Sequence, residues 1–179
     1  MNHRFSWAAF AAAFVAAGLV TAAQADDKSA LESRYGTAFL IHDGGDGTRS
    51  VVPAQAVSLG AKSGDAAAAF LAESAPAALG VAASDLRLDE THEAGGLTYA
   101  IYSQTFGGVP VWDGRVSLQL RGGKLVGATS RVKGGLNLST TPNLSADDAR
   151  DIASTQNGFD AATDAIAGVD LYVYDDGAS

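Results

Sequence analysis

Cysteine and histidine, which often act as nucleophiles, bases or metal ligands, are scarce in this chain. Cysteine is absent from the 179 residues, so thiolate metal sites and cysteine nucleophiles are excluded. The three histidines are His3, His42 and His92. His92-Glu93 begins like the zinc-protease helix motif, but two glycines follow and no second histidine comes one turn later, so we expect His92 at the surface of a strand end. The G-x-S-x-G elbow of serine hydrolases is absent, and we assign no catalytic, cofactor-binding or metal-ligating residue.

Paired carboxylates are a second candidate for chemistry. They occur at Asp26-Asp27, Asp147-Asp148 and Asp175-Asp176. Adjacent side chains do not face one another in a helix or a strand, so these pairs are typical of solvated helix ends and turns rather than of acid–base catalysis.

Four aromatic residues fall close together in the middle of the chain. Tyr99, Tyr102, Phe106 and Trp112 have the types that form sugar-binding platforms. The two alternating faces and the β propensity of this segment favour packing in the core instead, and we adopt that interpretation.

The charge balance excludes one class of partner. The chain has 20 acidic and 12 basic side chains and a formal charge of −8. Binding to nucleic acid phosphates needs a concentrated basic surface, which the sequence lacks, so we expect no nucleic-acid partner.

The N-terminus has the features of an export signal. Arg4 precedes an apolar run over residues 7–20, and Ala23-Gln24-Ala25 has the small-x-small form of a signal-peptidase site. A membrane anchor is the alternative, but the run is shorter than the roughly 20 residues that span a bilayer. We therefore predict a signal peptide over residues 1–25 and a secreted or periplasmic product without a membrane partner after cleavage.

The first elements of the exported chain can be predicted from turn residues and periodicity. Residues 26–36 are expected to be a loose lead-in, and residues 38–52 a hairpin around an Asp/Gly turn. From Asp65 an alanine-rich helix begins, which should end or kink near Pro76 and stop by Gly80.

A series of strands follows. We predict a strand from Leu86, a strong strand over Leu97–Phe106, and a short irregular strand over Val109–Trp112 that contains Pro110. Asp113-Gly114 has the composition of a turn, which would end that short strand.

The next hairpin can be predicted residue by residue. A two-residue loop at 122–123 places Leu120 opposite Leu125 and Leu118 opposite Gly127 if the register is tight. The missing side chain at Gly127 would then leave space for a helix. The apolar face consists of Val116, Leu118, Leu120 and Leu125.

The last third of the chain changes in composition. Residues 136–144 have the character of a linker, and Ser145 has the N-cap chemistry of a helix that reaches about Thr155. Asp170–Tyr174 is predicted to be a strand that leads into a turn. A hairpin without its second strand leaves an unpaired edge, so we infer that the chain is truncated at its C-terminus.

One segment resembles a known family. Residues 96–114, GLTYAIYSQTFGGVPVWDG, resemble the Y-x-Q-T-Y-x-G-V-P-V-x-G signature of the fungalysin/thermolysin propeptide (FTP) module, with Phe106 in place of the last tyrosine and the final glycine shifted by one. Residues 145–179 are similar to the start of a PepSY module. The matching signature positions are Tyr99, Gln104, Thr105, Gly108, Val109, Pro110 and Gly114.

The resemblance implies a fold and a function. It implies an α+β, cystatin-like fold of curved antiparallel sheets each covered by a helix, with an FTP-like module over 37–135 and an incomplete PepSY-like module over 145–179. It also implies the pro-region of a secreted zinc metalloprotease, an intramolecular chaperone and inhibitor whose partner is the catalytic domain. Zinc and catalysis would belong to that domain, so this chain would not be an enzyme. Within the signature, Gln104 and Thr105 are candidates for structural hydrogen bonds.

Two other functions remain open. The chain could be a free-standing secreted inhibitor or binding module with no protease attached. It could also be a carbohydrate-binding β domain that uses Tyr102 and Trp112.

Overall fold

The structure is a computed structural model that describes residues 25–60, 63–156 and 158–175. The predicted signal peptide up to residue 24 lies outside the described residues. Within the described ranges, no helix has the length and apolar character needed to cross a membrane. The helices are α1 (residues 25–35), α2 (Ser63–Leu79) and α3 (Ala146–Ser154), with a 3-10 turn at Ala83–Asp85. The strands are β1 (Phe39–Asp43), β2 (Arg49–Pro53), β3 (Val57–Ser58), β4 (Leu86–Ala94), β5 (Leu97–Phe106), β6 (Val109–Arg121) and β7 (Lys124–Arg131).

The described strands form one antiparallel sheet. Its order is β1-β2-β7-β6-β5-β4, and the short β3 pairs with the start of β7. Helix α2 packs against β7, β6, β2 and β5. The α+β class with an antiparallel sheet is therefore confirmed. The predicted hairpin at 38–52 is β1–β2, and the predicted bounds of β5 agree with the structure.

Helix α2 buries one face because its apolar and small residues recur every four positions, close to the helical period. The buried pairs are Ala66/Ala67, Phe70/Leu71, Ser74/Ala75 and Ala78/Leu79. The alanines let the helix approach the sheet closely. The helix continues through Pro76 and ends at Leu79, where Gly80 adopts a φ of 75°.

The prediction of a loose lead-in over residues 26–36 is wrong. Residues 25–35 are helical, and Leu31 is 2% exposed. Tyr35 lies one turn after Leu31, contacts Phe39 and Phe70, and shares a hydrogen bond of 2.6 Å between its hydroxyl and that of Ser74. Two apolar residues spaced four apart suffice here because α2 and the sheet supply the surface that covers them.

The prediction of a short strand ended by a turn at Asp113-Gly114 is also wrong. Strand β6 runs without interruption from Val109 to Arg121. Ser103 pairs with Arg115 and Thr105 pairs with Pro110, so residues 111–114 of β6 face the single residue 104 of β5. The Asp-Gly pair lies in this four-residue bulge, where Asp113 has a φ of 58°, a left-handed conformation that aspartate tolerates.

The 122–123 hairpin is confirmed, but part of its predicted register is wrong. Leu120 pairs with Leu125 as expected, whereas Leu118 pairs with Ala128 and Gly127 pairs with Gln119, because the register shifts after Gln119. A Cβ at Gly127 would lie 3.2 Å from the Gln119 side-chain oxygen. The glycine therefore accommodates Gln119, not a helix.

The last part of the chain matches the prediction at its helix and not at its strand. The Ser145 hydroxyl accepts a hydrogen bond from the Asp148 amide, and the Asp148 carboxylate accepts one from the Ser145 amide, which completes a capping box. Residues 170–174 form no named strand. Val173 makes one parallel bridge to Val111, with hydrogen bonds of 2.8 Å from the Val173 amide to the Pro110 carbonyl and from the Trp112 amide to the Val173 carbonyl.

Leu118 tests which face of β6 forms the core. Its side chain is fully buried, whereas Leu88 on β4 is 52% exposed. We expect Leu118→Ala to lower the free energy of unfolding by about 2–5 kcal/mol, because it removes buried methyl groups and leaves a cavity. Leu88→Ala should change it by less than about 1 kcal/mol. Urea denaturation followed by circular dichroism measures the free energy of unfolding of both variants. Equal losses would show that the register assigned to β6 is wrong.

Candidate functional site

The residues of the sequence signature occupy one hairpin, formed by β5 and β6. We call residues 97–114 the signature hairpin. Its turn is Gly107-Gly108, and both glycines have a positive φ, 56° and 84°, which explains why glycine is needed there. Phe106 pairs with Val109 across the turn, and the wide bulge follows directly on β6.

Gln104 is the polar centre of the signature hairpin. It is 4% exposed, and its side-chain amide lies beside the backbone of Lys133, just beyond β7. Gln104 Nε2 donates to the Lys133 carbonyl and Gln104 Oε1 accepts from the Lys133 amide, both at 2.8 Å. The two ends of the amide thus replace a pair of strand hydrogen bonds and fix the path of the chain after the sheet.

Gly114 is required by the same arrangement. A Cβ built on Gly114 would lie 2.8 Å from the Cβ of Gln104 and 3.0 Å from the Cβ of Val111. Contacts that short do not occur between carbon atoms, so the bulge can close over Gln104 only when residue 114 has no side chain. Two signature residues ten positions apart are therefore explained by one packing constraint.

The remaining signature residues have structural contacts of their own. The Thr105 hydroxyl donates to the Asp85 carbonyl at 3.3 Å, which ties β5 to the 3-10 turn. Tyr99 stacks on His92 of β4 with ring centroids 5.1 Å apart. Pro110 supplies the carbonyl that holds Val173, so the signature hairpin also carries the last described segment of the chain.

Two arginines connect the sheet to its surroundings, and the sequence analysis missed both. Arg49 Nη2 lies 3.3 Å from a carboxylate oxygen of Asp27 in α1 and also 3.3 Å from the carbonyl oxygen of Ala77 in α2. Arg131, at the end of β7, lies 2.7 Å from Asp46 and 3.0 Å from Asp113. The second cluster links the β1–β2 turn to the bulge in β6.

The two aromatic residues proposed for sugar binding do not share a surface. Tyr102 is 7% exposed within the core, and burial raises the pKa of its phenol. Trp112 is 56% exposed at the bulge, and its ring meets Tyr172 edge to face at 5.5 Å. Core packing is therefore confirmed for Tyr102 and wrong for Trp112. A carbohydrate platform built from this pair is excluded because the core separates Tyr102 from solvent.

The candidate chemical groups of the sequence lie apart. His92 is near Glu90, 3.8 Å from Nδ1 to the carboxylate, and His42 is on the edge strand β1. Asp27 pairs with Arg49, Asp147 pairs with Arg150, and Asp148 caps α3. The described residues contain no group of three or more metal-ligating side chains. The Asp175-Asp176 pair ends outside the described residues.

A polar cleft of about 550 Å³ lies beside the bulge. Its walls come from β4, β5, β6 and the segment that carries Val173. The sequence analysis did not assemble this cleft, since its residues meet only through the pairing of three strands. The side chains that line it include Arg87, Asp89, Ser103, Trp112, Arg115 and Tyr172.

Comparisons with known proteins returned no matching family model, no matching curated protein and no matching solved structure. The resemblance to FTP and PepSY modules thus stays a hypothesis drawn from the sequence.

We call the packing of Gly114 against Gln104, together with the hydrogen bonds of Gln104 to Lys133, the interlock. A substitution of Gly114 tests it. Gly114→Ala should lower the free energy of unfolding by about 1–3 kcal/mol, because the new methyl group overpacks against the Gln104 side chain. Gly134→Ala is the matched control, since no atom lies within 4 Å of a Cβ built there. It should change stability by less than about 0.5 kcal/mol. A neutral Gly114→Ala in a denaturant melt would contradict the interlock.

Asp46 provides a test of the charge cluster at the β1–β2 turn. Its carboxylate accepts hydrogen bonds from the Thr48 amide and hydroxyl and pairs with Arg131, and these contacts, the Thr48 amide first, lower its pKa. A carboxyl whose pKa is lowered on folding stabilises the fold above its usual pKa, near 3.9, and loses that contribution as pH falls through the folded value. Carbon-13 NMR of the carboxyl groups should find Asp46 below its usual range.

Arg131→Gln should move the Asp46 pKa part of the way back, because the Thr48 contacts remain. The Asp148 pKa, lowered by Ser145, is the internal control and should not move. An Asp46 pKa that does not respond to Arg131→Gln would mean that the ion pair does not form.

Proposed function

We propose that this chain is the N-terminal pro-region of a secreted zinc metalloprotease precursor. In this proposal it acts as an intramolecular chaperone and inhibitor of a catalytic domain that lies beyond residue 179. Residues 37–135 would be the cystatin-like FTP module, and residues 145–179 the start of a PepSY-like module. The segment 1–25 would direct export.

The interlock of Gln104, Gly114 and Lys133 carries the proposal. Two of the positions in the FTP-like signature, a glutamine and a glycine, serve one purpose, which is to close the four-residue bulge over a buried amide. A signature of this kind specifies the shape of a surface and not a reaction. Shape is what a pro-region needs, because it acts by complementarity to its partner.

The face of the sheet opposite α2 is the surface that we assign to the partner. On β6 the core positions Val116, Leu118 and Leu120 are fully buried, while the alternate positions Ser117 and Gln119 are half-exposed. Paired strands hold this face rigid over β5, β6 and β7. A rigid face can template a folding domain without ordering cost of its own.

The first arm of the test is the reading frame. An H-E-x-x-H segment encoded within a few hundred residues after Ser179 would identify the catalytic domain and supply the protein for the second arm. If the frame closes without one, the free-standing binding module becomes the better proposal.

The second arm is refolding. The denatured catalytic domain is diluted with and without the chain, and recovered peptidase activity is followed. We expect a higher yield with the chain and slower turnover at micromolar chain. No gain in yield and no inhibition, with the full-length pro-region active in the same assay, would place the function outside residues 1–179.

A pair of variants locates the surface. Ser117→Arg introduces a bulky charge on the half-exposed face of β6 and should abolish the gain in refolding yield. Ser84→Arg makes the same change on the 3-10 turn, where Ser84 is exposed, and should leave the gain intact. Equal effects of the two variants would assign the partner to another surface.

A further inference from the structure

A row of arginines crosses the sheet on the face opposite α2. Arg87 on β4 pairs with Ser103 on β5, Ser103 pairs with Arg115 on β6, and Arg115 pairs with Arg131 on β7. Directly opposite residues of an antiparallel pair point to the same face, so three positive side chains lie in line. Like charges directly opposite one another destabilise a sheet. These arginines therefore need either neighbouring carboxylates or a bound anion to balance their charge.

The structure neutralises two of the three arginines. Arg131 is held between Asp46 and Asp113, and Arg87 lies 3.4 Å from Asp89. Among the described residues, Arg115 makes no ion pair and no side-chain hydrogen bond, and it is exposed. In a chain with a formal charge of −8, this guanidinium keeps its hydrogen-bond donors available.

Arg115 lines the cleft of about 550 Å³ beside the bulge, a volume within the range of small-ligand sites. Ser103 lies next to it and donates a hydrogen bond to Asp89. On the other side, Trp112 and Tyr172 form an exposed aromatic wall, 56% and 47% exposed. The cleft thus combines one available guanidinium with an apolar edge.

We propose that this cleft binds a peptide carboxylate, with Arg115 pairing to the carboxylate and the Trp112–Tyr172 wall contacting the neighbouring apolar side chain. A guanidinium presents a planar pair of N–H donors that matches the two oxygens of a carboxylate. Asp89 and Asp113 also line the cleft, and their charges oppose a dianion such as phosphate. The ligand charge that fits is a single negative one.

The carboxylate can belong to a C-terminus or to an acidic side chain, and four probes separate the two. N-acetyl-phenylalanine carries the first, and N-acetyl-glutamyl-phenylalanine amide carries the second. The uncharged controls are N-acetyl-phenylalanine amide and N-acetyl-glutaminyl-phenylalanine amide. The site stands on the geometry of this cleft and does not depend on the pro-region proposal.

The experiment is a titration of the full chain, labelled with nitrogen-15, followed at the indole N–H resonance of Trp112. Its two tryptophans, Trp7 and Trp112, give separate signals that Trp112→Phe assigns. We expect at least one carboxylate probe to shift the Trp112 signal to saturation, and its uncharged control to bind roughly tenfold or more weakly. The carboxylate probe that binds more tightly identifies the source.

Arg115→Gln should weaken the carboxylate probe by about tenfold or more and leave the uncharged control unchanged. Arg121→Gln is the matched variant, because Arg121 is exposed at the far end of β6 and does not line the cleft. It should bind like the original chain. Equal binding of charged and uncharged probes, or equal loss in both variants, would overturn the proposal. Saturation of neither carboxylate probe would do the same.

Discussion

Gln104 is a buried amide that must find partners for both of its ends, and the geometry around it follows from that need. Lys133 offers one amide and one carbonyl in the position of a strand neighbour. For Gln104 to reach Lys133, four residues of β6 lie in a bulge opposite Gln104, and Gly114 must lack a side chain. The bulge displaces residues 111–114 of β6 from the ladder, and the displaced Val111 forms the bridge to Val173. One polar group thus determines the path of β6, the exit of β7 and the anchoring of the last described segment.

Local signals in the sequence predicted the turns and helices that depend on residues close together in the chain. Glycine pairs marked the 107–108 and 122–123 turns, the alanine-rich run from Asp65 marked α2, and the N-cap residue Ser145 marked the start of α3. The misses have non-local causes. Helix α1 has few apolar residues and depends on a surface formed by α2. The Asp113-Gly114 pair has the same composition in a turn and in a bulge, and only the hydrogen bonds to β5 distinguish them.

The same distinction applies to the sites. The signature residues are close together in sequence, so their resemblance could be noticed without a structure. The arginine row could not, because Arg87, Arg115 and Arg131 are brought into line by three strand registers, each of which contains a shift. A further slip of one residue at any of these shifts would send a side chain to the opposite face. The exposure of Trp112, against the expectation of core packing, has the same origin in the β6 bulge.

The strand order also sets the sequence of events during synthesis. Strands β4 to β7 are consecutive neighbours, each joined to the next by a short turn, so this meander needs only local contacts. The β1–β2 hairpin is made first but joins the sheet through β7, the last of the described strands to be synthesised. Until then, the part of the apolar face of α2 that packs against β7 and β2 stays uncovered. The closing of this long loop is the entropically costly step of the topology, and it prolongs the exposure of that part of α2 to wrong partners.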